Sequence, residues 1–230
     1  MINYIELNGE KSTSVKGLVI QSLPPITKPR IRTSIDEIDG RDGDIVTRLG
    51  YAAYDKEVSI GLHGDFDIDD AISFFDSEGE VVFGNERDKY YRYQILDQID
   101  FERLIRFRTA KVKMHVQPFK YDAVDRVFKA MGNSVTLRNR GNVASRPTVT
   151  VYGSGTVELA INAVTVLTMA IGGGYITIDA EEMNAYHGDA LVNRHVSGDY
   201  ADVKLNVGEN VISCSGAVTE IKVEDYSRWV

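Results

Sequence analysis

The sequence predicts a mainly β protein in two domains, with one packed helix in the first. Three observations carry this expectation. The last hundred residues, Met131 to Val230, alternate apolar and polar positions in short runs such as Pro147-Thr-Val-Thr-Val-Tyr152, cut by Gly and Asn about every 8–12 residues, the pattern of an antiparallel sandwich. Charge density falls partway along: the first 130 residues carry 19 basic and 23 acidic side chains, leaving 7 and 11 of the totals of 26 and 34 to the rest. Helical spacing stands out in a single segment, Asp67 to Glu78.

Taken in order, Asn8-Gly9 reads as the turn of a first hairpin, and Gly17 to Leu23 as an apolar strand ended by Pro24-Pro25. Ile38 to Asp44 is a polar loop with two glycines, within a charged stretch from Asp36 to Tyr54 that suits a surface loop better than a core. Lys56 to Leu62 alternates as a half-buried strand does. The helix near 67–78 places Ile68, Ala71, Ile72 and Phe75 on one side, with an Asp cap at its start and Gly79 at its end. Glu80 to Phe83, Tyr90 to Asp97 and Ile99 to Val116 read as strands. The small-residue stretch Lys129-Ala-Met-Gly-Asn133 sets the boundary within Asp125 to Asn133, giving domains 1–130 and 131–230. In the second domain Gly153-Ser-Gly155 reads as a turn, and Gly172-Gly-Gly174 as a hairpin between Val164 to Ile171 and Tyr175 to Ile178. Trp229 is expected to pin the chain end to its sheet.

Composition excludes several classes of function. A net charge of −8 and a pI near 5.1 advertise no phosphate-seeking surface, so nucleic acid is disfavoured as a held ligand. The lone Cys214 cannot form an intrachain disulfide, and the amino-terminal residues lack the basic and apolar regions of a signal peptide, so synthesis and folding in a reducing cytoplasm are expected. The longest apolar run, Ala163 to Ile171, falls well short of the ~20 residues a membrane helix needs.

Candidate chemistry is sparse. Asp65, Asp67 and Asp69 resemble the opening of a calcium loop with Asp76 at its twelfth place, but Asp70 stands where that loop needs Gly, so helix capping accounts for these carboxylates better. His187 and His195, near Glu181, Glu182 and Asp189, match no zinc spacing and read as loop histidines. Gly172 to Gly174 lacks the Lys and the helix of a phosphate cradle, and Gly153-Ser-Gly155 lacks the strand-to-helix turn of a nucleophile elbow. Cys214, on the same strand face as Ile212, reads as a small buried apolar residue. No catalytic residue, metal or cofactor is expected. Tyr186 and Tyr200 are the candidate glycan contacts, because exposed tyrosines stack on sugar rings.

The Gly40-Arg-Asp-Gly43 loop with the following Lys56 to Leu62 strand, the Asn139-Arg-Gly-Asn-Val-Ala-Ser-Arg-Pro147 junction leading into Thr148 to Gly153, Ile176 to Glu182 with Met183, the Val207 to Ile212 turn and terminal Ser227-Arg-Trp-Val230 follow one another in an order that spans nearly the whole chain. In this ensemble the sequence resembles the distal tail protein (Dit) family of phages with long, flexible, non-contractile tails. The resemblance implies a barrel-like or split-barrel N-terminal β domain with one helix, and a C-terminal galectin-like or carbohydrate-module-like sandwich of jelly-roll type. It implies a homo-hexameric ring at the virion tail tip or baseplate of a phage or prophage, made in the bacterial host cytoplasm. That ring joins the tail tube protein to the tail-tip hub or tail-associated lysin, serves as a docking point for receptor-binding proteins, and lets DNA pass in transit. At 230 residues the chain has no room for the inserted carbohydrate modules of longer relatives. The ring contact is expected in the charged loop, at Arg41, Asp42, Asp44 and Arg48. A host-glycan-binding module and a carbohydrate-active enzyme are the alternative readings.

Overall fold

Asn8 and Gly9 both adopt positive φ, 50° and 88°, and Leu7 pairs with Glu10 across them, so this dipeptide closes the two-residue hairpin its sequence announces. The structure is a computed structural model that describes residues 2–75 and 78–230. The chain divides into two units, the first running to Ala123 and including the terminal Val230, the second running Val124–Trp229.

The first unit contains β1 (Ile5–Leu7), β2 (Glu10–Lys11), β3 (Leu18–Ser22), β4 (Ile31–Asp36), β5 (Ile45–Tyr51), β6 (Tyr54–Leu62), α1 (Ile68–Phe74), β7 (Glu78–Phe83), β8 (Lys89–Gln94), α2 (Phe101–Phe107) and β9 (Thr109–Asp122). Its main sheet is antiparallel in the order β2-β1-β7-β8-β9-β6-β3. The Asn3 side-chain amide donates to the Gln21 carbonyl at 3.1 Å, drawing the β1 end of the sheet to the β3 end, so the sheet curls. Inside the curl Ile5, Val58, Ile60, Val81, Val112 and Met114 are fully buried. Alternation drives this: each such side chain contributes about 1.5–3 kcal/mol on leaving water.

Two helices pack here rather than one. Ile99 to Val116 is not a continuous strand, because α2 occupies Phe101–Phe107 and β9 starts only at Thr109. The Asp100 carboxylate accepts from Arg103 N at 2.8 Å, Arg106 reaches Glu102 one turn back, and Leu104 is completely buried. In α1 the cap is Asp67, accepting from Asp69 N, as expected. The buried side chains, however, are Ala71, Phe74 and Phe75, while Ile72 is 44% exposed. The expected end of this helix lies partly at Asp76 and Ser77, outside the described residues. Gly79 belongs to β7, where the Asn8 amide leaves no room for a Cβ. Among the described residues no helix is long and apolar enough to cross a membrane, and no three His, Cys, Asp or Glu side chains gather as a metal site.

The second unit contains β10 (Val127–Met131), β11 (Ser134–Asn139), β12 (Thr148–Ile161), β13 (Val164–Asp179), β14 (Asn184–His187), β15 (Ala190–Leu191), β16 (Val196–Gly198) and β17 (Gly208–Glu224). β10 pairs with the far end of β17, which places it in this unit. Here the glycine-rich stretches act differently from expectation. Gly153-Ser-Gly155 is not a turn and Gly172-Gly-Gly174 is not a hairpin: β12 and β13 run straight through them as bent strands, with a register shift between Gly153 and Gly155. The Val207 to Ile212 segment likewise lies mostly within β17. A Cβ on Gly153 would sit 2.3 Å from the Ala217 carbonyl, so glycine lets β12 and β17 close together at the bend.

These bends build two layers from three long strands. One half of β17 pairs with β10 and the other with β11, while β13 pairs with β14 near one end and β16 near the other. Val149 and Val151 from one half of β12, and Val157, Leu159 and Ile161 from the other, join a single buried core. The chain end is fixed by Arg228 rather than by Trp229 alone: the Arg228 Nε donates to the Ala144 carbonyl at 2.7 Å and its Nη1 to Glu181 at 3.0 Å.

Cys214, opposite Leu159 in the register, is 4% exposed, and burial pushes its thiol pKa up to about 12 from 9.0. The folded thiol is therefore neutral and inert. Because the folded value is raised, its stabilising contribution is whole below pH 9 and is lost as pH rises toward 12. Cys214 is expected to resist iodoacetamide in the folded chain at mildly alkaline pH and to react fully on unfolding. Rapid stoichiometric labelling of the native protein would contradict its burial. The residue thus reports the integrity of the second unit.

Candidate functional site

The charged stretch expected as a loop is a β ribbon. β4 and β5 pair only with each other, from Ile31↔Tyr51 to Asp36↔Ile45, with a bulge between Arg32 and Thr33. Only residues 37–44 form a loop, at its tip. An isolated two-stranded ribbon has no core of its own and is at best marginal in water. Along most of this one the side chains are exposed, including Ile35 at 58%, Val46 at 61% and Leu49 at 55%. Ile35 and Val46 are register partners and so share a face. That face is an apolar row without cover in the first unit.

The root of the ribbon is held firmly. The Lys56 ammonium donates to the Pro25 carbonyl at 3.0 Å, the Asn85 amide to the Pro24 carbonyl at 3.0 Å, and Ala52 N to the Arg30 carbonyl at 2.8 Å. Tyr51 packs edge-on against Phe119 of β9 with centroids 5.7 Å apart, and the Arg48 guanidinium lies 4.7 Å over the Tyr51 ring. A rigid base carrying an unsupported shaft is suited to reaching a second surface.

Charge is polarised along the shaft. Asp36, Glu37, Asp39, Asp42 and Asp44 surround the tip with only Arg41 among them, whereas Lys28, Arg30, Arg32 and Arg48 line the stem with no acid between Lys28 and Ile35. None of these tip carboxylates has an ion-pair partner among the described residues. Three of the sequence-expected contact residues, Arg41, Asp42 and Asp44, lie together in the tip loop, and Arg48 lies in β5. The charges were legible in sequence; the strands carrying them were hidden because neither face of the ribbon is buried within its unit.

The two candidate glycan tyrosines are separately engaged. Tyr186 in β14 donates its hydroxyl to Glu182 at 2.6 Å. Tyr200 is half-buried against the second core, its hydroxyl on Asn193 Oδ1 at 3.3 Å.

The chain matches no family model and none of the curated proteins. Among solved structures it is similar to the Dit (gp 19.1) protein of phage SPP1, described as a paradigm of the hub adsorption apparatus in phages infecting Gram-positive bacteria. That likeness has a TM-score of 0.62 at 15% identity and covers 100% of each chain. It is also similar to a chain of the phage P2 baseplate in its activated conformation with Ca, with a TM-score of 0.51 at 10% identity, over 96% of this chain and 98% of that one. At both units and along its whole length, this chain has the fold of the phage Dit hub proteins.

Proposed function

We propose that this protein is a structural hub of a phage or prophage tail tip, without enzymatic activity. It forms a hexameric ring that joins the tail tube to the tail-tip hub or tail-associated lysin protein and leaves a lumen for DNA in transit. The observation that carries this reading is the end-to-end likeness to the SPP1 Dit protein, which covers both units of this chain. The ribbon supplies a physical means. Its acidic tip at Asp42 and Asp44, with Arg41 between the strands, meets the basic stem at Arg30, Arg32 and Arg48 of the next copy, and the Ile35/Val46 face is covered in the process. Tip and stem are different surfaces, so the contact is heterologous, and repetition about one axis closes a ring. A net charge of −8 suits a channel that must let DNA slide through without holding it.

Mass photometry and negative-stain microscopy test the reading: six-subunit rings are expected, and a strictly monomeric chain at high concentration would overturn it. Charge reversal tests the contact. Asp42→Lys with Asp44→Lys, or Arg30→Glu with Arg32→Glu, is expected to weaken ring assembly roughly tenfold, as a few exposed ion pairs at about 0.2–1 kcal/mol each allow. Combining all four changes in one chain restores assembly. If the combined variant is worse than either parent, the ribbon does not meet the stem.

A further inference from the structure

Between Met169, paired with Val196 of β16, and Thr177, paired with Tyr186 of β14, one edge of β13 has no strand beside it among the described residues. The gap opens a cleft of about 530 Å3 within the second unit, a volume in the range of small-molecule sites. We infer that this cleft binds a neutral saccharide, held between the Tyr175/His187 aromatic pair, the side-chain-free wall at Gly172 and Gly173, and the His195 imidazole.

The lining sets the charge of the ligand. Its floor includes Ile171, Ile176 and Val192, its rim includes Thr156 and the two histidines, and no Lys, Arg, Asp or Glu contributes to it. An anionic or cationic ligand would find no counter-charge among the lining side chains, the Arg194 guanidinium beside them being engaged on His195 Nε2. Gly172 and Gly173 leave open space where a Cβ would stand, so this wall presents bare backbone to an occupant.

The histidines then define the hydrogen bonds on offer. His187 Nδ1 lies 2.8 Å from the Tyr175 carbonyl, and a carbonyl only accepts, so Nδ1 carries the proton and Nε2 is the acceptor that the neutral form of this ring offers. His195 Nε2 lies 3.2 Å from Arg194 Nε, and a guanidinium only donates, so in this contact Nε2 accepts and Nδ1 is the donor. One acceptor and one donor on the same cleft match a pair of hydroxyls, each of which can do both. The Tyr175 ring, 4.7 Å from the His187 ring, and the aliphatic floor suit the C–H face of a pyranose. An extended peptide fits less well: Gly173 and Gly174 take φ of 137° and 92°, so the exposed edge of β13 is kinked and offers no regular ladder to a further strand.

Titration of the isotope-labelled full chain, followed by NMR, tests the site with methyl glucoside, methyl galactoside, N-acetylglucosamine, rhamnose and their disaccharides, and with a neutral hexapeptide. At least one sugar is expected to give saturable shifts at Gly172, Gly173, Tyr175, His187 and His195. His187→Phe, which keeps a stacked ring and removes the acceptor, is expected to weaken that sugar about tenfold. Gly172→Trp fills the open space and abolishes binding, with Cys214 protection confirming that each variant is folded. No saturable sugar, sugar binding that survives Gly172→Trp, or saturation by the hexapeptide alone overturns the inference. The outcome is independent of ring formation, because the sugars are titrated against the chain in whatever oligomeric state it holds.

Discussion

Gly141→Ala is expected to destabilise the second unit by about 3 kcal/mol or more, the upper end of what overpacking costs. A Cβ at this position would lie 1.8 Å from the Arg228 carbonyl oxygen and 2.7 Å from its carbon, and both are backbone, so no side-chain rotation relieves the clash. The surroundings cannot yield cheaply either. Asn139, 1% exposed, accepts from Gly141 N at 2.8 Å and donates to the Val143 and Leu205 carbonyls. Ser145 Oγ donates to the Tyr226 carbonyl at 2.8 Å, and Arg140 N donates to Ser227 Oγ at 3.0 Å. Moving the terminal segment away from residue 141 breaks several of these together and exposes the buried Arg228. Urea denaturation read by Cys214 alkylation measures the loss in this unit specifically. Gly172→Ala is the matched comparison, since its Cβ meets nothing within 4 Å and its φ is not positive; it is expected to shift stability by no more than about 0.5 kcal/mol. Equal behaviour of the two variants would mean that the Arg228 segment does not close on Gly141.

The difference between these two glycines shows where the sequence was readable and where it was not. Alternation identified β6, β9 and the outer parts of β12 and β13, because burying one face leaves a period of two in the residues themselves. Glycine runs carry no such sign: the same Gly-rich stretch serves a hairpin or a bend, and long-range pairing with β17 decides between them. α2 was legible in principle, as Phe101, Leu104 and Ile105 stand at helical spacing behind Asp100, but Phe107, Ala110 and Val112 prolong an apparent strand through it. The ribbon was concealed because neither of its faces is buried within its own unit, so β4 and β5 leave no alternation to detect. The cleft residues were concealed for a different reason. Tyr175, His187 and His195 meet only through a gap in strand pairing, and nothing local in sequence marks a gap.

Glu86→Ala is expected to cost the first unit about 3 kcal/mol, because it strands buried partners instead of removing a surface charge. The Glu86 and Lys120 side chains are only 10% and 14% exposed and meet at 2.5 Å, while the second Glu86 oxygen accepts the Tyr91 hydroxyl at 2.5 Å. Beside them Lys56, 3% exposed, lies 4.9 Å from the centre of the Tyr91 ring and 5.4 Å from that of Phe83. Burial lowers the pKa of Lys56, with the Glu86 charge acting in the opposite sense. Without Glu86 two ammonium groups share a poorly hydrated site, and the carboxylate left near Lys120, Asp88, is paired with Lys89. Adding Lys120→Met to Glu86→Ala is therefore expected to recover part of the loss; a further loss instead would refute the pairing. The tyrosine gives the cluster an alkaline limit. Burial first, and then its bond to Glu86, raise the Tyr91 pKa above 10.0, so its contribution is whole below pH 10 and declines as pH rises beyond it. Tyr91→Phe is expected to flatten that decline in a urea titration repeated across alkaline pH. The same cluster secures the ribbon, since the Lys56 ammonium that Glu86 helps keep charged is the donor to the Pro25 carbonyl at its root. Glu86→Ala should accordingly weaken ring assembly as well as folding, whereas reversal of the tip charges Asp42 and Asp44 should weaken assembly and leave the urea midpoint unchanged. Measuring both quantities on both variants separates a ribbon that is loosely rooted from one that is firmly rooted but wrongly charged.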